Sequence, residues 1–300
     1  MKLIKDTTVC IFAYKRDLSL SNILNDLKKN LDYQRYTYHF FVDYPKNIQD
    51  QKKHKSILNI INKFKNGLKI KVICRKKNIG LNQNIIKGIN YVTKKYSKFI
   101  VLEDDLRVSK YYLNYIQLIL DKFENDKNIF TVTGYTFPKK IFKLATKKNS
   151  IILSKRPNSW GWASWSAKWN KVNFNDSSYV KIYRDKSKLN YISKYGNDLS
   201  YILRDTLQKK IDSWAIKWTI YHILNNKYCI FPFKTMVNEE GFISKPTNNK
   251  LRTNKFNHYK IVNTKFPKKF KLILENNEIK DAFKKVYDFP LYKKILKKFI

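Results

Sequence analysis

Short apolar runs alternate with amphipathic segments through the first 135 residues, and this alternation constrains the fold more than any other feature. The runs have the length and composition of buried strands, and several segments between them repeat apolar residues at helical spacing. Strands that alternate with helices indicate parallel pairing through right-handed crossovers. We therefore predict an α/β fold with a mostly parallel sheet flanked by helices. The predicted strands are Thr8–Tyr14, Tyr38–Val42, Ile70–Cys74, Phe99–Leu102, Ile129–Val132 and, later in the chain, Tyr228–Phe231.

The fourth predicted strand ends in three consecutive acidic residues, Glu103, Asp104 and Asp105. Open α/β sheets bind ligands at the carboxyl ends of their strands, and carboxylate oxygens there suit Mg²⁺ or Mn²⁺. A solvated acidic turn is the alternative. The chain has only 23 Asp and Glu residues against 62 Lys and Arg, so an acidic cluster at a strand end favours a specific role. Ser109 is predicted to cap the helix that follows.

The formal net charge of +39 favours anionic partners, namely nucleic acid, nucleotide sugars or an anionic membrane surface. Part of this excess reflects a general richness in Lys, Asn, Ile and Tyr. The sequence has no zinc-finger spacing, no RNP-like motif and no basic region with heptads, so no nucleic-acid partner is expected.

The N-terminal residues lack the apolar region and cleavage site of a signal peptide, and no apolar run has the length of a transmembrane helix. These features predict a cytoplasmic protein. Cys10, Cys74 and Cys229 lie within apolar runs, which predicts buried thiols rather than a disulfide framework or a zinc site.

Residues 290–300 combine an apolar helical face with lysines on the flanks and back. This pattern predicts a helix that lies on the anionic inner face of the cell membrane as a peripheral contact. Docking of the same helix on the protein core is the alternative. The apolar positions are Leu291, Ile295, Leu296 and Phe299, and the lysines are Lys293, Lys294, Lys297 and Lys298.

Six segments between about Val9 and Gly241, by their order along the chain, resemble bacterial GT-A glycosyltransferases related to N-acetylglucosaminyltransferase I. The resemblance implies a Rossmann-like GT-A fold and a nucleotide-sugar substrate. Lys15 and the polar helix start Asn82–Asn84 depart from the family pattern, so the resemblance implies the class and not the donor sugar. The matching segments are Ile11–Arg16, Phe41–Asp43, Asn78–Leu81, Glu103–Asp105, Trp160–Trp162 and Asp212–Trp214.

The resemblance also implies roles for individual residues. Arg16, Asp43 and Asp104 are expected to bind the nucleotide, and Asp105 with Glu103 is expected to hold Mn²⁺ or Mg²⁺. Asp212 is expected to be the catalytic base, with a helix N-cap as the alternative role and Glu239 or Glu240 as the fallback base. The residues expected near the donor or acceptor sugar are Trp160, Gly161, Trp162, Glu239 and Glu240.

These residues predict a metal-dependent, inverting glycosyltransferase that uses a UDP-linked donor and a glycan or lipid-linked acceptor in bacterial surface polysaccharide or lipooligosaccharide synthesis. The alternatives are a sugar-phosphate nucleotidyltransferase, which the lack of a glycine-rich loop after the first strand disfavours, and a nucleic-acid-binding protein. The predicted organisation is a nucleotide-sugar half over 1–135, an acceptor and catalytic half over 136–243, and a basic extension over 244–300.

Overall fold

A nine-stranded sheet dominates the structure, a computed structural model that describes residues 4–138, 150–240, 256 and 261–288. The strands are β1 Ile4–Ala13, β2 Thr37–Val42, β3 Lys69–Cys74, β4 Tyr96–Glu103, β5 Leu106–Val108, β6 Ile129–Thr133, β7 Ser150–Ser154, β8 Trp162–Trp165, β9 Tyr228–Pro232, β10 Val237–Glu239 and β11 Lys271–Ile273. The large sheet has the order β11-β7-β9-β6-β8-β4-β1-β2-β3, and β5 pairs with β10 in a separate two-stranded sheet.

Parallel pairing predominates in the large sheet. Strands β3, β2, β1 and β4 pair in parallel, as do β6 with β9 and β7 with β11, whereas β8 runs antiparallel to β4 and β6, and β7 runs antiparallel to β9. The predicted α/β fold with a mostly parallel sheet is therefore confirmed. The helices are α1 Asp17–Lys28, α2 Ile48–Phe64, α3 Gly80–Val92, α4 Tyr112–Lys122, α5 Ser166–Trp169, α6 Asp176–Arg184, α7 Lys186–Ser193, α8 Asp198–Leu207, α9 Ala215–Leu224 and α10 Asn277–Tyr287.

The two faces of the sheet bury different sets of helices. Alternate residues of β1 divide between the faces, so that Val9 and Ile11 join one core and Cys10 and Phe12 join the other. The first core contains the apolar faces of α1, α2, α4 and α10. The second contains α3 and a tryptophan cluster from β8, α5 and the α9 region, and helices α6 to α9 form a third cluster beside it.

Strand β8 is a feature that the sequence reading missed. Its residues were identified as an aromatic segment, and the structure inserts them between β4 and β6, with Trp162 opposite Val101. Because β8 is antiparallel to β4, its first residues lie beside the carboxyl end of β4. Gly161 and the segment before it therefore lie close to the acidic triplet.

Cys74 corrects the prediction of three buried thiols. Cys10 and Cys229 are buried, but Cys74 is exposed because β3 is the edge strand of the sheet. The predicted capping of the helix after the acidic triplet by Ser109 is wrong, because Tyr111 occupies the N-cap position and no side chain caps this helix. Helix α4 begins at Tyr112, and the Ser109 hydroxyl accepts a hydrogen bond from the Tyr111 amide at 3.2 Å.

Part of the predicted basic extension packs against the sheet. Strand β11 pairs with β7 at the sheet edge, and α10 buries Ile279, Phe283 and Val286 in the first core. The predicted membrane helix at 290–300 lies outside the described residues. Among the residues that are described, no helix is long and apolar enough to cross a membrane.

Candidate active site

The carboxyl ends of β1, β2 and β4 meet at one edge of the sheet. The Asp43 amide donates to the Ala13 carbonyl at 3.1 Å, and the Asp104 amide donates to the Phe12 carbonyl at 3.0 Å. The ladder thus continues one residue beyond each strand. It fixes Asp43 and Asp104 on either side of the end of β1, as the strand pattern predicted for polar residues at this edge.

A buried carboxylate cluster lies at the end of β4 and is bridged by an arginine. The Nη1 atom of Arg16 donates to Asp105 Oδ2 at 2.6 Å and to Asp104 Oδ1 at 3.2 Å. Asp104 Oδ2 also accepts the Tyr14 amide at 3.0 Å. Both aspartates are buried, whereas the Arg16 side chain is 27% exposed. Arg16, the residue before α1, therefore lies where solvent meets the cluster.

Burial and mutual repulsion make the cluster hold protons more tightly than free carboxylates do. Burial, followed by the charge of Asp105, raises the pKa of Asp104 to about 6, against the opposing effect of Arg16. Burial also raises the pKa of Glu103, and the charges of Asp105, Glu239 and Asp104 add to this rise. The pKa of Asp105 is raised mainly by burial, and Arg16 opposes the rise. Additional positive charge at this position would therefore be stabilised.

The donor set fits a hard divalent cation that shares its coordination with a substrate. Carboxylate oxygens suit Mg²⁺ and Mn²⁺, and the Arg16 guanidinium already supplies a cation at the same oxygens. Within the described residues, no three or more His, Cys, Asp or Glu side chains converge as a ready-made metal cage. A site of one or two carboxylates completed by phosphate oxygens and water is the arrangement usual for Mg²⁺.

The short strand β10 brings Glu239 and Glu240 to the same edge. Glu239 is opposite Leu106 in the β5–β10 ladder, and the Glu240 amide donates to the Asp105 carbonyl at 2.7 Å. Arg107 pairs with Glu240 Oε1 at 2.8 Å. Glu239 contributes to the raised pKa of Glu103, whereas the Glu240 carboxylate is held by an ion pair.

Sequence reasoning missed the ion-pair network behind β10. Arg107 Nε donates to the buried Asp26 Oδ2 at 2.6 Å, and its Nη2 donates to Oδ1 at 3.1 Å. The network joins α1, β5 and β10 through one arginine. The only signal for it in the sequence is the place of Arg107 two residues after the acidic triplet, which says nothing about a partner 81 positions away.

Asp43 and Asp212 lie on either side of the first turn of α3. Asp43 accepts the Ile79 and Gly80 amides at 3.1 and 3.0 Å, and Asp212 Oδ2 accepts the Asn82 amide at 3.1 Å. Gly80 has a φ of +77°, and a Cβ on it would lie 2.6 Å from Asp212 Oδ2. Both carboxylates therefore satisfy amides at the positive end of α3.

Asp212 does not cap its own helix, which was the alternative role predicted for it. Helix α9 begins at Ala215 with Trp214 at its N-cap position, and Asp212 instead bonds to the first turn of α3. The Asp212 side chain is exposed. Its role as a base stays a prediction.

The three central residues of the aromatic segment lie in different surroundings. Trp162 is fully buried among Trp169, Trp214 and Trp218, so its indole has no exposed surface for a sugar. Gly161 has a φ of +53°, and a Cβ there would lie 2.7 Å from a methyl group of Val237. The glycine is thus required by close packing in the protein itself.

Trp160 lines a pocket of about 110 Å³ next to the Asp212 segment. Ser213, the residue after Asp212, lies on the same pocket wall, and Trp218 lines it as well. The Arg156 side chain on this wall is neutralised by a bidentate pair with Asp198, at 2.7 and 2.6 Å. The pocket therefore presents aromatic, aliphatic and neutral polar groups rather than a net charge.

The structure thus brings the predicted residues together in three places. Glu103, Asp104, Asp105, Arg16, Glu239 and Glu240 form or border the carboxylate cluster, Asp43 and Asp212 flank the start of α3, and Trp160 lines the pocket. Asp43 connects the first two places because it follows β2, next to β1. Trp162 belongs to the core.

The known proteins that this chain matches are solved structures. No protein-family model matches the chain, and no curated protein matches it. The chain is similar to S. aureus TarS 1-349, with 13% identity over 78% of this chain and 60% of that one and a TM-score of 0.49. It is also similar to GalNAc-T7 with UDP, GalNAc and Mn²⁺, with 13% identity over 78% and 43% of the two chains and a TM-score of 0.46.

A third similar structure is the mannosyltransferase PcManGT from Pyrobaculum calidifontis with GDP-Man and Mn²⁺, with 11% identity, coverage of 54% of this chain and 47% of that one, and a TM-score of 0.38. The chain therefore spans between about two fifths and three fifths of the length of these three chains. These solved structures are GT-A glycosyltransferases, the class that the sequence motifs resemble.

Proposed function

We propose that this chain is a metal-dependent, inverting glycosyltransferase that moves a sugar from a UDP-linked nucleotide-sugar donor to a hydroxyl group of a glycan or lipid-linked acceptor. The single observation that carries the proposal is the carboxylate cluster at the end of β4, bridged by Arg16. It lies at the sheet edge where α/β proteins bind nucleotides. Bacterial surface polysaccharide or lipooligosaccharide synthesis is the process we propose for this reaction.

The first half of the chain, 1–135, would bind the donor. Asp105 and Glu103 would hold Mn²⁺ or Mg²⁺, and the metal, when bound, would stabilise the charge that develops on the leaving diphosphate. Arg16 would leave Asp105 and donate to a phosphate oxygen, because a guanidinium binds phosphate and carboxylate with the same geometry. Asp104 would stay with the Tyr14 amide and orient the loop that carries Arg16.

Asp43 supports this assignment indirectly. Its Oδ1 accepts the Tyr44 and Ile79 amides at 2.9 and 3.1 Å, and its Oδ2 accepts the Gly80 amide at 3.0 Å. The lone pair left for a uracil or ribose donor is therefore on Oδ2. The same bonds fix the turn at Ile79 and Gly80. Asp43 would therefore both contact the nucleoside and hold the helix start beneath it.

The second half, 136–243, would supply the acceptor side. Asp212 is exposed, and its bond to the Asn82 amide uses Oδ2, so Oδ1 could take the proton of an acceptor hydroxyl. Ser213 and Trp160 would place the acceptor sugar in the adjacent neutral pocket. Direct attack assisted by a single base inverts the anomeric carbon. Glu239 or Glu240 is the fallback base, and Arg107 pairs with the Glu240 carboxylate at 2.8 Å.

A nucleotide-sugar hydrolysis screen with and without Mn²⁺ tests the proposal. We expect metal-dependent hydrolysis of at least one UDP-sugar, and a loss of roughly 10²-fold or more in Asp105→Ala, the scale for removal of a key electrostatic partner. Asp281→Asn, an exposed carboxylate on α10, serves as the matched control and should keep full activity. Full activity in excess chelator would refute the metal assignment.

A further inference from the structure

The two most exposed large apolar side chains of the described residues, and an exposed tyrosine, lie beside the candidate active site. Leu18 is 78% exposed and Ile48 is 74% exposed, at the first turns of α1 and α2. Tyr44, 42% exposed, follows Asp43 at the end of β2. All three therefore lie at the edge of the sheet that carries the carboxylate cluster. Exposed apolar side chains that gather at one edge mark an interaction surface.

Ion pairs hold the two helix starts together. Lys53 on α2 pairs with Asp17 on α1 at 2.9 Å, and Lys15 pairs with Asp50 at 3.4 Å. The Tyr14 hydroxyl also donates to Asp50 at 2.5 Å. Leu18 and Ile48 are thus presented by one connected surface rather than by two independent loops.

Positive charge surrounds these apolar side chains. The nearby acidic groups, Asp17 and Asp50, already pair with lysines. The loop before α3 joins the same region, because the Asn78 amide group donates to the Tyr44 carbonyl at 2.7 Å. The exposed lysines of these segments are Lys15, Lys46, Lys52, Lys53, Lys76 and Lys77. We call Leu18, Tyr44, Ile48 and these six lysines the rim surface.

We propose that the rim surface binds an anionic lipid bilayer, with Leu18, Tyr44 and Ile48 inserted among the headgroups. Charge complementarity selects this occupant: lysines around a few protruding apolar side chains match the negative surface potential and the apolar boundary of such a bilayer. A protein partner would be expected to cover a continuous apolar core, whereas here the apolar side chains alternate with lysines.

Membrane binding through the rim surface would also bear on the kind of acceptor, an inference that rests on the proposed function. Leu18 follows Arg16 by two residues, and Tyr44 follows Asp43 directly, so insertion of the rim surface would turn the candidate active site towards the membrane. An acceptor carried on a lipid would then lie on the same side as the site. This arrangement favours a lipid-linked acceptor over a free oligosaccharide.

Vesicle sedimentation of the full chain tests the proposal. The probes are phosphatidylcholine vesicles and vesicles of phosphatidylcholine with roughly 30% phosphatidylglycerol. The anionic phosphatidylglycerol supplies the negative surface potential that attracts lysines. The test variant is Leu18→Gln with Ile48→Gln. The control is Leu272→Gln with Leu274→Gln, two exposed leucines at and just after β11, the opposite edge strand of the sheet.

We expect the chain to bind the anionic vesicles, and the test variant to bind at least about tenfold more weakly, since two apolar side chains leave the interface. The control should bind like the parent chain. Equal binding of the test variant and the parent, or equal loss in the control, would overturn the proposal. Equal binding to neutral vesicles, or no vesicle binding, would also overturn it and favour a protein partner. UDP binding, measured on the same preparations, reports separately on the proposed function.

Discussion

Replacement of Arg16 by Met isolates the electrostatics of the candidate site. The substitution keeps an unbranched side chain of similar length and removes the cation that bridges Asp104 and Asp105. Two buried carboxylates, with Glu103 beside them, then lose the positive charge that opposes their raised pKa values. The variant should therefore be less stable than the parent chain and should bind free cations more readily.

The magnitude of the stability loss follows from the contacts. Removal of one partner from a fully buried ion pair costs about 3–5 kcal/mol. Arg16 is 27% exposed, and one of its two bonds is long at 3.2 Å, so we expect a loss of about 2–3 kcal/mol. For a chain of 300 residues, that loss corresponds to a decrease in Tm of roughly 3–5 °C.

Two titrations complete this test. Mn²⁺ alone should bind Arg16→Met more tightly than the parent chain, because the guanidinium no longer competes for Asp105. UDP with Mn²⁺ should bind more weakly, because the phosphate contact is lost. Electron paramagnetic resonance of free Mn²⁺ and calorimetry with UDP measure the two affinities.

Arg204→Met is the matched control. Arg204 pairs with Asp205 at 2.8 Å and is 26% exposed, but it lies on α8 away from the carboxylate cluster. This control should lower the Tm by no more than about 2 °C and leave both affinities unchanged. An Arg16→Met chain with the parent Tm and the parent Mn²⁺ affinity would refute the reasoning.

Three further predictions concern other parts of the chain. Asp212→Asn should keep a near-normal Tm and UDP-sugar affinity but lose turnover by about 10²–10⁴-fold, whereas a role confined to the bond with the Asn82 amide predicts little change in rate. Turnover and Tm of Asp212→Asn and Asp212→Ala, measured side by side, separate the two roles. Arg156→Met should cost about 3–5 kcal/mol in urea denaturation, because it strands the buried Asp198 carboxylate; retention of the parent midpoint would contradict this. Burial lowers the pKa of Lys168 to about 7 from 10.5, so the unfolded chain binds more protons between these values and stability should rise over that pH range; Tm measurements should show a smaller rise in Lys168→Met.

Local sequence patterns were sufficient for the central sheet. Strands β1, β2, β4 and β6 are short apolar runs that end near polar residues, and their last residues agree with the predicted ones to within one position. The first residues agree less well, since β1 begins at Ile4 rather than Thr8 and β4 at Tyr96 rather than Phe99. Their order in the parallel part follows from strand–helix–strand connections, which leave few topologies. The acidic triplet is found at the edge of the sheet because it directly follows one of these runs.

The second half of the chain was harder to predict because its pairing is nonlocal. Strand β8 is a four-residue run inside the tryptophan-rich segment, and only its partners β4 and β6 make it a strand. Strands β5 and β10 are three residues each and stabilise one another across 131 positions of chain. Such contacts depend on tertiary packing and leave little periodicity in the sequence.

The candidate site likewise contains residues that local sequence patterns could place and residues whose positions depend on tertiary contacts. Residues attached to strand ends, such as Asp43 and Asp104, could be placed from sequence. The bond from the Asn82 amide to Asp212 joins segments 130 positions apart and is invisible in local patterns. The burial of Trp162 also follows from packing, since a tryptophan-rich segment is compatible with both a core and a binding surface.

Calorimetric titration of the chain with UDP, in the presence and absence of Mn²⁺, tests the central claim most directly. The carboxylate cluster and Arg16 predict saturable UDP binding that requires the metal and is lost in Asp105→Ala, while the Asp281→Asn control binds normally. UDP binding that is equally strong in chelator and in Asp105→Ala would contradict the account, as would the absence of binding under both conditions.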